Sequence, residues 1–185
     1  MTEPSPSVSP APLTRHQDQL VADSVSALHE AISVLGALPD GEYGASSPVG
    51  STVGAHFRHV LDHYLCLLDG LRTGLIHYEG RLRDPVIEAD WAEARALASR
   101  VAEELHSLPG AALSRSVRVR CMGGALAEHH HGDHLSTAPR ELHFVMLHAV
   151  HHYGYIAIEL KRRGYALDPD FGVAPATRAW RRSRT

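Results

Sequence analysis

The sequence predicts an all-α protein, a four-helix bundle with one small β-hairpin before the last long helix. Three observations carry that reading. Four stretches repeat apolar residues every three or four positions, the period of a helix that buries one face. A single stretch alternates with period two, and it directly precedes the fourth of them. Finally, 15 of the 185 residues are histidine while Phe, Trp and Tyr together make up only 6%. Six of those histidines sit at helical spacing on two of the stretches.

The elements follow in order. Residues 1–12, MTEPSPSVSPAP, alternate proline with small residues and are expected to form a disordered tail. Residues 13–185 are expected to form one domain, since a chain of 20.2 kDa is large enough to bury a core without staples. Leu20, Val21, Val25, Leu28, Ile32 and Leu35 mark the first helix, ending near Pro39-Asp40-Gly41. The Gly-, Ser- and Pro-rich run at 41–50 reads as a loop. Ser51 or Thr52 can cap the second helix, which is apolar on more than one face through Val53, Phe57, Val60, Leu61, Tyr64, Leu68 and Leu71, and which Gly74 can stop. A polar connection over residues 78–85 leads to a third helix carrying Trp91, Ala94, Leu97, Val101 and Leu105. Ser116-Val117-Arg118-Val119-Arg120-Cys121 is the alternating strand, Met122-Gly123-Gly124 its turn, and residues 125–128 its expected return partner. Thr137 caps the fourth helix, with Pro139 tolerated in its first turn and Gly164 suited to end it near Arg163. A short helix around Trp180 is expected in the tail.

Composition narrows the function. The formal net charge of −3 argues against a nucleic-acid binder that works by bulk charge. No uninterrupted apolar run approaches bilayer length, and the first residues lack the pattern of a secretory signal. Two cysteines, Cys66 and Cys121, give no disulfide framework, and a cytoplasmic setting with reduced thiols is the expectation.

Histidine then directs the reading. The second helix carries His56, His59 and His63, and the fourth His148, His151 and His152. Residues four apart lie about 40° apart around a helix, so His59 with His63, and His148 with His152, can converge on one point. Neutral imidazole is a common ligand for zinc and similar ions. Two such pairs on inward-facing helices would let one ion satisfy several buried imidazoles together, whereas each alone would need its own partner. A second cluster at 129–134, His129-His130-His131-Gly132-Asp133-His134, precedes the fourth helix and reads as a solvated loop able to bind metal adventitiously. His16, His29, His77 and His106 read as surface residues, and His143 lies about 140° from His148 around the helix, away from the site.

At these residues the chain resembles the DinB/YfiT-like metalloenzyme family, whose members are four-helix bundles holding a divalent ion with three histidines. His59-Val60-Leu61-Asp62 matches the ligand motif of that family's second helix, and His148-Ala149-Val150-His151-His152 matches the motif of its last. The resemblance covers most of the chain after the proline-rich tail and implies His59, His148 and His152 as the metal ligands. His63 and His56 stay open as further ligands, proton shuttles or supporting groups. Asp62 can orient a ligand imidazole or be a surface charge. Tyr155 and Glu159 fall on the His148/His152 face, Glu159 as a general base or as an arginine's partner. Cys66 reads as a small buried residue. Many members carry Arg-Gly-Gln or similar after the HxxxH motif; this chain has Tyr153-Gly154-Tyr155, a departure that bears on substrate and not on the ligands.

Three neutral histidines leave a dication uncompensated and a coordination position open, the arrangement of catalytic rather than structural sites. Zinc is the default ion; nickel, iron, copper and cobalt suit three imidazoles too. Such a site can acidify water for hydrolysis or activate a low-molecular-weight thiol, and the resemblance implies both, since relatives include thiol-dependent S-transferases and isomerases. The expected partner is a small-molecule substrate, with no nucleic acid and no membrane, and a homodimer is a reasonable assembly for such a bundle. Arg81 and Arg83 after the second helix, and Arg118 and Arg120 on the strand, are candidate anchors for an anionic thiol. The alternative is a non-catalytic bundle that binds metal or a small ligand, with His63 or His56 filling its coordination.

Overall fold

The four long helices of the bundle begin where side chains can satisfy their first N–H groups. The computed structural model describes residues 14–39, 41–48, 50–122 and 131–184. In α1 (Arg15–Ala37), Thr14 and Gln17 form a reciprocal capping box, which satisfies two otherwise unpaired donors. Thr52 caps α2 (Val53–Thr73) through the Ala55 N–H at 3.0 Å. Gly74 closes α2 at φ 87°, a backbone region that glycine adopts without steric cost. Asp90 caps α4 (Trp91–His106), and Thr137 caps α6 (Ala138–Arg162). The short helices α3 (Pro85–Ala89), α5 (Gly110–Leu113) and α7 (Pro175–Arg182) link and extend these.

The apolar faces meet in one core. Leu28 and Leu35 of α1, Tyr64 and Leu67 of α2, Leu105 of α4, and Tyr153 and Ile156 of α6 are fully buried. α1 packs on α4 and α6, and α2 packs on α6 and α4, which is the four-helix arrangement that the periodicity predicts. α1 is long and apolar enough to cross a membrane by length and composition, a property that a search for uninterrupted apolar runs does not register. Its apolar residues, including Leu20, Val21, Leu28 and Leu35, lie in this core.

The β-structure departs from expectation in two ways. It is a three-stranded sheet, with β1 (Leu75–Ile76) parallel to β2 (Ser116–Met122) and β3 (His131–Thr137) antiparallel on its far side. The described return strand is β3, in register Ser116 with Thr137 and Val119 with His134, so the end of the histidine-rich cluster is strand and not loop. Residues 1–13 and 123–130, which include the expected tail and the expected return partner, lie outside the described residues. Sequence HGDHLST has no alternating apolar face; its one large apolar residue, Leu135, is 85% exposed. Backbone pairing with β2 sets this strand, not burial of its side chains.

Close backbone approach fixes the start of α2, the helix that carries His56, His59 and His63. The Gly54 N–H donates to the Tyr43 carbonyl at 2.9 Å. A Cβ on Gly54 would collide with the Glu88 carbonyl oxygen and stand 2.9 Å from the Tyr43 ring. Gly54→Ala is expected to cost about 2–3 kcal/mol by forcing these backbones apart. Gly44→Ala, where an added Cβ meets nothing within 4 Å, should stay within about 0.5 kcal/mol of the parent. Urea midpoints of the two variants check both.

Candidate metal centre

Packing of α2 on α6 turns the two histidine series toward each other. The ring centres of His59 and His63 lie 4.4 Å apart, His59 and His148 5.0 Å, His59 and His152 4.5 Å, His63 and His148 4.4 Å, and His148 and His152 4.6 Å. His56 joins at the end of the row, 5.2 Å from His152. His63 is buried and the other four are half-buried, whereas His151 is exposed, its ring perpendicular to that of Tyr155. His59, His63 and His148 each offer a ring nitrogen, all within 4.8 Å of one another, a group that can hold a metal ion. All three residues of the expected ligand set thus lie in the cluster, with His152 directed by its Nδ1 to the Nδ1 of His56 at 2.9 Å.

Hydrogen bonding assigns one tautomer. His63 Nδ1 lies 2.7 Å from the His59 carbonyl oxygen. A carbonyl only accepts, so Nδ1 carries the proton and the Nε2 lone pair is left for another partner. His59 Nε2 and His148 Nε2 are 2.8 Å apart, a contact in which one ring donates to the other's lone pair. Two imidazoles bound to one tetrahedral ion have their nitrogens about 3.3 Å apart, so a small opening of this pair accommodates it. The donor set is chemically suited as well, being all imidazole and all neutral.

Neutrality has a physical cause. Burial lowers the pKa of all five rings, since it penalises the charged form. His59 falls to about 3, with His63, His152 and Arg81 adding repulsion. His152 falls to about 3, its neighbours His148 and His56 contributing after burial. His63 falls to about 4 although its bond to the His59 carbonyl opposes the shift. His56 and His148 move the same way, by burial and then by His151. At neutral pH the lone pairs are therefore available.

Aromatic rings close one end of the row. Tyr78 stacks on His63 at 5.4 Å and Phe144 on His148 at 5.8 Å. The Tyr78 hydroxyl donates to Glu141 at 3.0 Å, and Glu141, fully buried, also accepts from Ser136 and Arg140, each at 2.6 Å. Sequence reading missed these three supports. Phe144 has a retrospective signal, since 144, 148 and 152 share helical spacing; Tyr78, in a single 3₁₀ turn (Tyr78–Gly80), has none.

Other candidates take plainer roles. Asp62 is buried, and among the described residues no imidazole donates to its carboxylate, whose Oδ2 finds no hydrogen-bond partner. Burial raises its pKa, against the pull of Arg58 and Arg81. Glu159 is held at about 2 by hydrogen bonds from Arg162 and Arg163, and Arg163 carries the link on to Glu42 at 3.0 Å. It is an arginine's partner at the bundle end. Cys66 is half-buried and its thiol is pushed up by burial and by Asp62, which disfavours a thiolate. Arg120 and Arg118 lie 3.0 and 3.8 Å from Asp133. In place of the family's residues after HxxxH, Tyr153 is buried against Phe171 at 5.3 Å and Tyr155 stacks on His56 at 5.7 Å. Gly154 admits the crossing tail, where a Cβ on Gly172 would stand 2.5 Å from the Gly154 nitrogen. A groove of about 700 Å³ between α1 and α6 holds none of the five histidines; His143 lines it, on the side expected.

The lowered imidazoles give the metal-free protein a defined pH response. Unfolded histidine protonates near pH 6.5, whereas His59, His152 and His63 in the fold resist protonation down to about 3–4. Below about pH 6.5 the unfolded chain therefore binds more protons, and stability falls with falling pH. Urea midpoints of chelator-treated protein are expected to drop steadily from about pH 7 to about pH 5, and a flat profile over that interval would refute the neutral cluster.

Comparison with known proteins agrees with this geometry. The DinB superfamily model matches residues 25–156, a span containing all five clustered histidines. No curated protein matches the chain. Among solved structures, the crystal structure of the DinB-like protein YjoA from Bacillus subtilis superposes with a TM-score of 0.60, covering 84% of this chain and 99% of that one at 14% identity. At that identity the likeness speaks for the fold. With the family model spanning well over half of its length, the chain belongs to the DinB superfamily.

Proposed function

We propose that this chain is a metal-dependent enzyme acting on a small molecule, with one divalent ion held by His59, His148 and His152. The observation that carries the reading is the convergence of neutral imidazoles from α2 and α6 on one half-buried point. His59 and His148 belong both to the group whose nitrogens lie within 4.8 Å and to the family motif. His152 completes the motif set, and His63 is the competing third ligand. A bound ion, zinc by default, would supply Lewis acidity that lowers the pKa of a coordinated water or thiol. Thiol-dependent S-transfer is the favoured reaction, with hydrolysis next. The chain's own residues support either. His63 keeps an unprotonated Nε2 beside His148 that can accept a hydrogen bond from an incoming donor group and so orient it. Tyr78 and Phe144 wall the row at one end and exclude water there.

One observation favours a second reading. Five imidazoles lie in the row, and if four of them coordinate, the site is full and serves binding rather than catalysis. Elemental analysis of untagged protein separates the possibilities. The wild type is expected to hold about one ion per chain, and His148→Ala/His152→Ala to lose it. A variant that retains its ion would place binding at residues 129–134 instead. Comparison of His152→Ala with His63→Ala identifies the third ligand: the true ligand's loss weakens affinity by about 100-fold or more, beyond the effect of a supporting group.

A further inference from the structure

Arg81 is the cation whose charge reaches His59, His63 and His148. It is half-buried, and one guanidinium N–H donates to the Tyr78 carbonyl at 2.9 Å. Tyr78 is the residue whose ring lies on His63. Among the described residues Arg81 forms no ion pair, whereas its neighbours are committed: Arg58 to Glu88 at 2.8 Å, Arg140 to Glu141 at 2.6 Å, Arg118 and Arg120 to Asp133. Arg83 is exposed.

The segment that carries Arg81 is pinned on both sides. Before it, the Tyr78 hydroxyl is fixed on Glu141. After it, Arg83 adopts φ 51° without being glycine, a left-handed conformation costing about 1 kcal/mol, and Asp84 caps α3 through the Val86 N–H at 2.9 Å. The guanidinium is thus set on the turn whose Tyr78 ring covers His63, with donors to spare, and a planar guanidinium with free N–H groups matches a carboxylate or phosphate.

We propose that the ligand of this site is a small bifunctional anion, with one donor atom for the ion held by the histidines and a separate acidic group received by Arg81. The inference rests on the metal reading above. It adds that the substrate or co-substrate is selected by a second negative charge.

The test uses full-length protein loaded with cobalt(II) and two thiols of equal length, 3-mercaptopropionate and its neutral amide, 3-mercaptopropionamide. Binding is read from the thiolate-to-cobalt absorption, corrected for the thiolate fraction of each compound. The acid is expected to bind about tenfold more tightly than the amide, as a charge-assisted contact requires. In Arg81→Gln, with cobalt content unchanged, the two should fall within about twofold of each other, and Arg81→Lys should keep part of the preference. Cobalt retained with no preference in the wild type overturns the role of Arg81 alone. So does a preference that survives in Arg81→Gln, which would mean that the carboxylate chelates the ion directly. Failure of the wild type to hold cobalt overturns the metal reading and this inference together.

Discussion

The seam between α2 and α6 sets everything else in this molecule, because it places five imidazoles where water is scarce. A buried polar group must find a partner or destabilise the fold. Five neutral imidazoles carry ten ring nitrogens, and the described residues supply three contacts for them: His63 to the His59 carbonyl, His59 to His148, and His56 to His152. The rings therefore partner mostly one another. That is a poor arrangement for stability by itself, since an apolar seam of the same volume would need no partners. It is a good arrangement for capturing an ion, because each lone pair not satisfied by protein is one that a metal can use.

Support for this seam comes from residues remote in sequence. Below the histidines, Phe57 of α2 meets Tyr153 of α6 at 6.0 Å, and Phe171 from the tail covers Tyr153. Beside them, Glu141 joins β3 through Ser136 and the 3₁₀ turn through Tyr78. The sheet is thus more than an ornament on the bundle. β1 directly follows α2, β3 directly precedes α6, and β2 lies between them. The two helices that carry the histidines are connected through it at one end of the seam.

Much of this was legible in the sequence, for reasons that can be stated residue by residue. Four amphipathic periods required four packed helices, and i, i+4 spacing put His59 with His63 and His148 with His152. The family motif selected His59, His148 and His152, while the geometry of nitrogens groups His59 and His148 with His63; spacing alone allowed both. Elements held by backbone were not legible. β3 has no apolar alternation, so composition did not mark it as the return strand, and β1 is two residues long. Asp62 could be read as an imidazole's partner because its sequence neighbours His59 and His63 are known, whereas the charges that act on it are Arg58, Arg81 and Arg83, the last two from a loop that no side-chain pattern ties to α2. Tyr78 escaped notice for a similar reason: its role depends on a loop folding back over α2.

Charge decides what such a site lacks. Among the described residues three carboxylates are buried, Asp62, Glu141 and Glu159, any of which would have neutralised a dication had it faced the histidines. No imidazole donates to Asp62, Glu141 is committed to Tyr78, Ser136 and Arg140, and Glu159 to Arg162 and Arg163. With imidazoles kept neutral by burial and Arg81 acting on them by charge, the described residues present neutral and positive groups to the bound position. An ion held there would keep its Lewis acidity undiminished by anionic ligands. On the proposed metal reading the compensating negative charge would come from the molecule that binds, and the same electrostatics would then set both the reactivity of the centre and its choice of ligand.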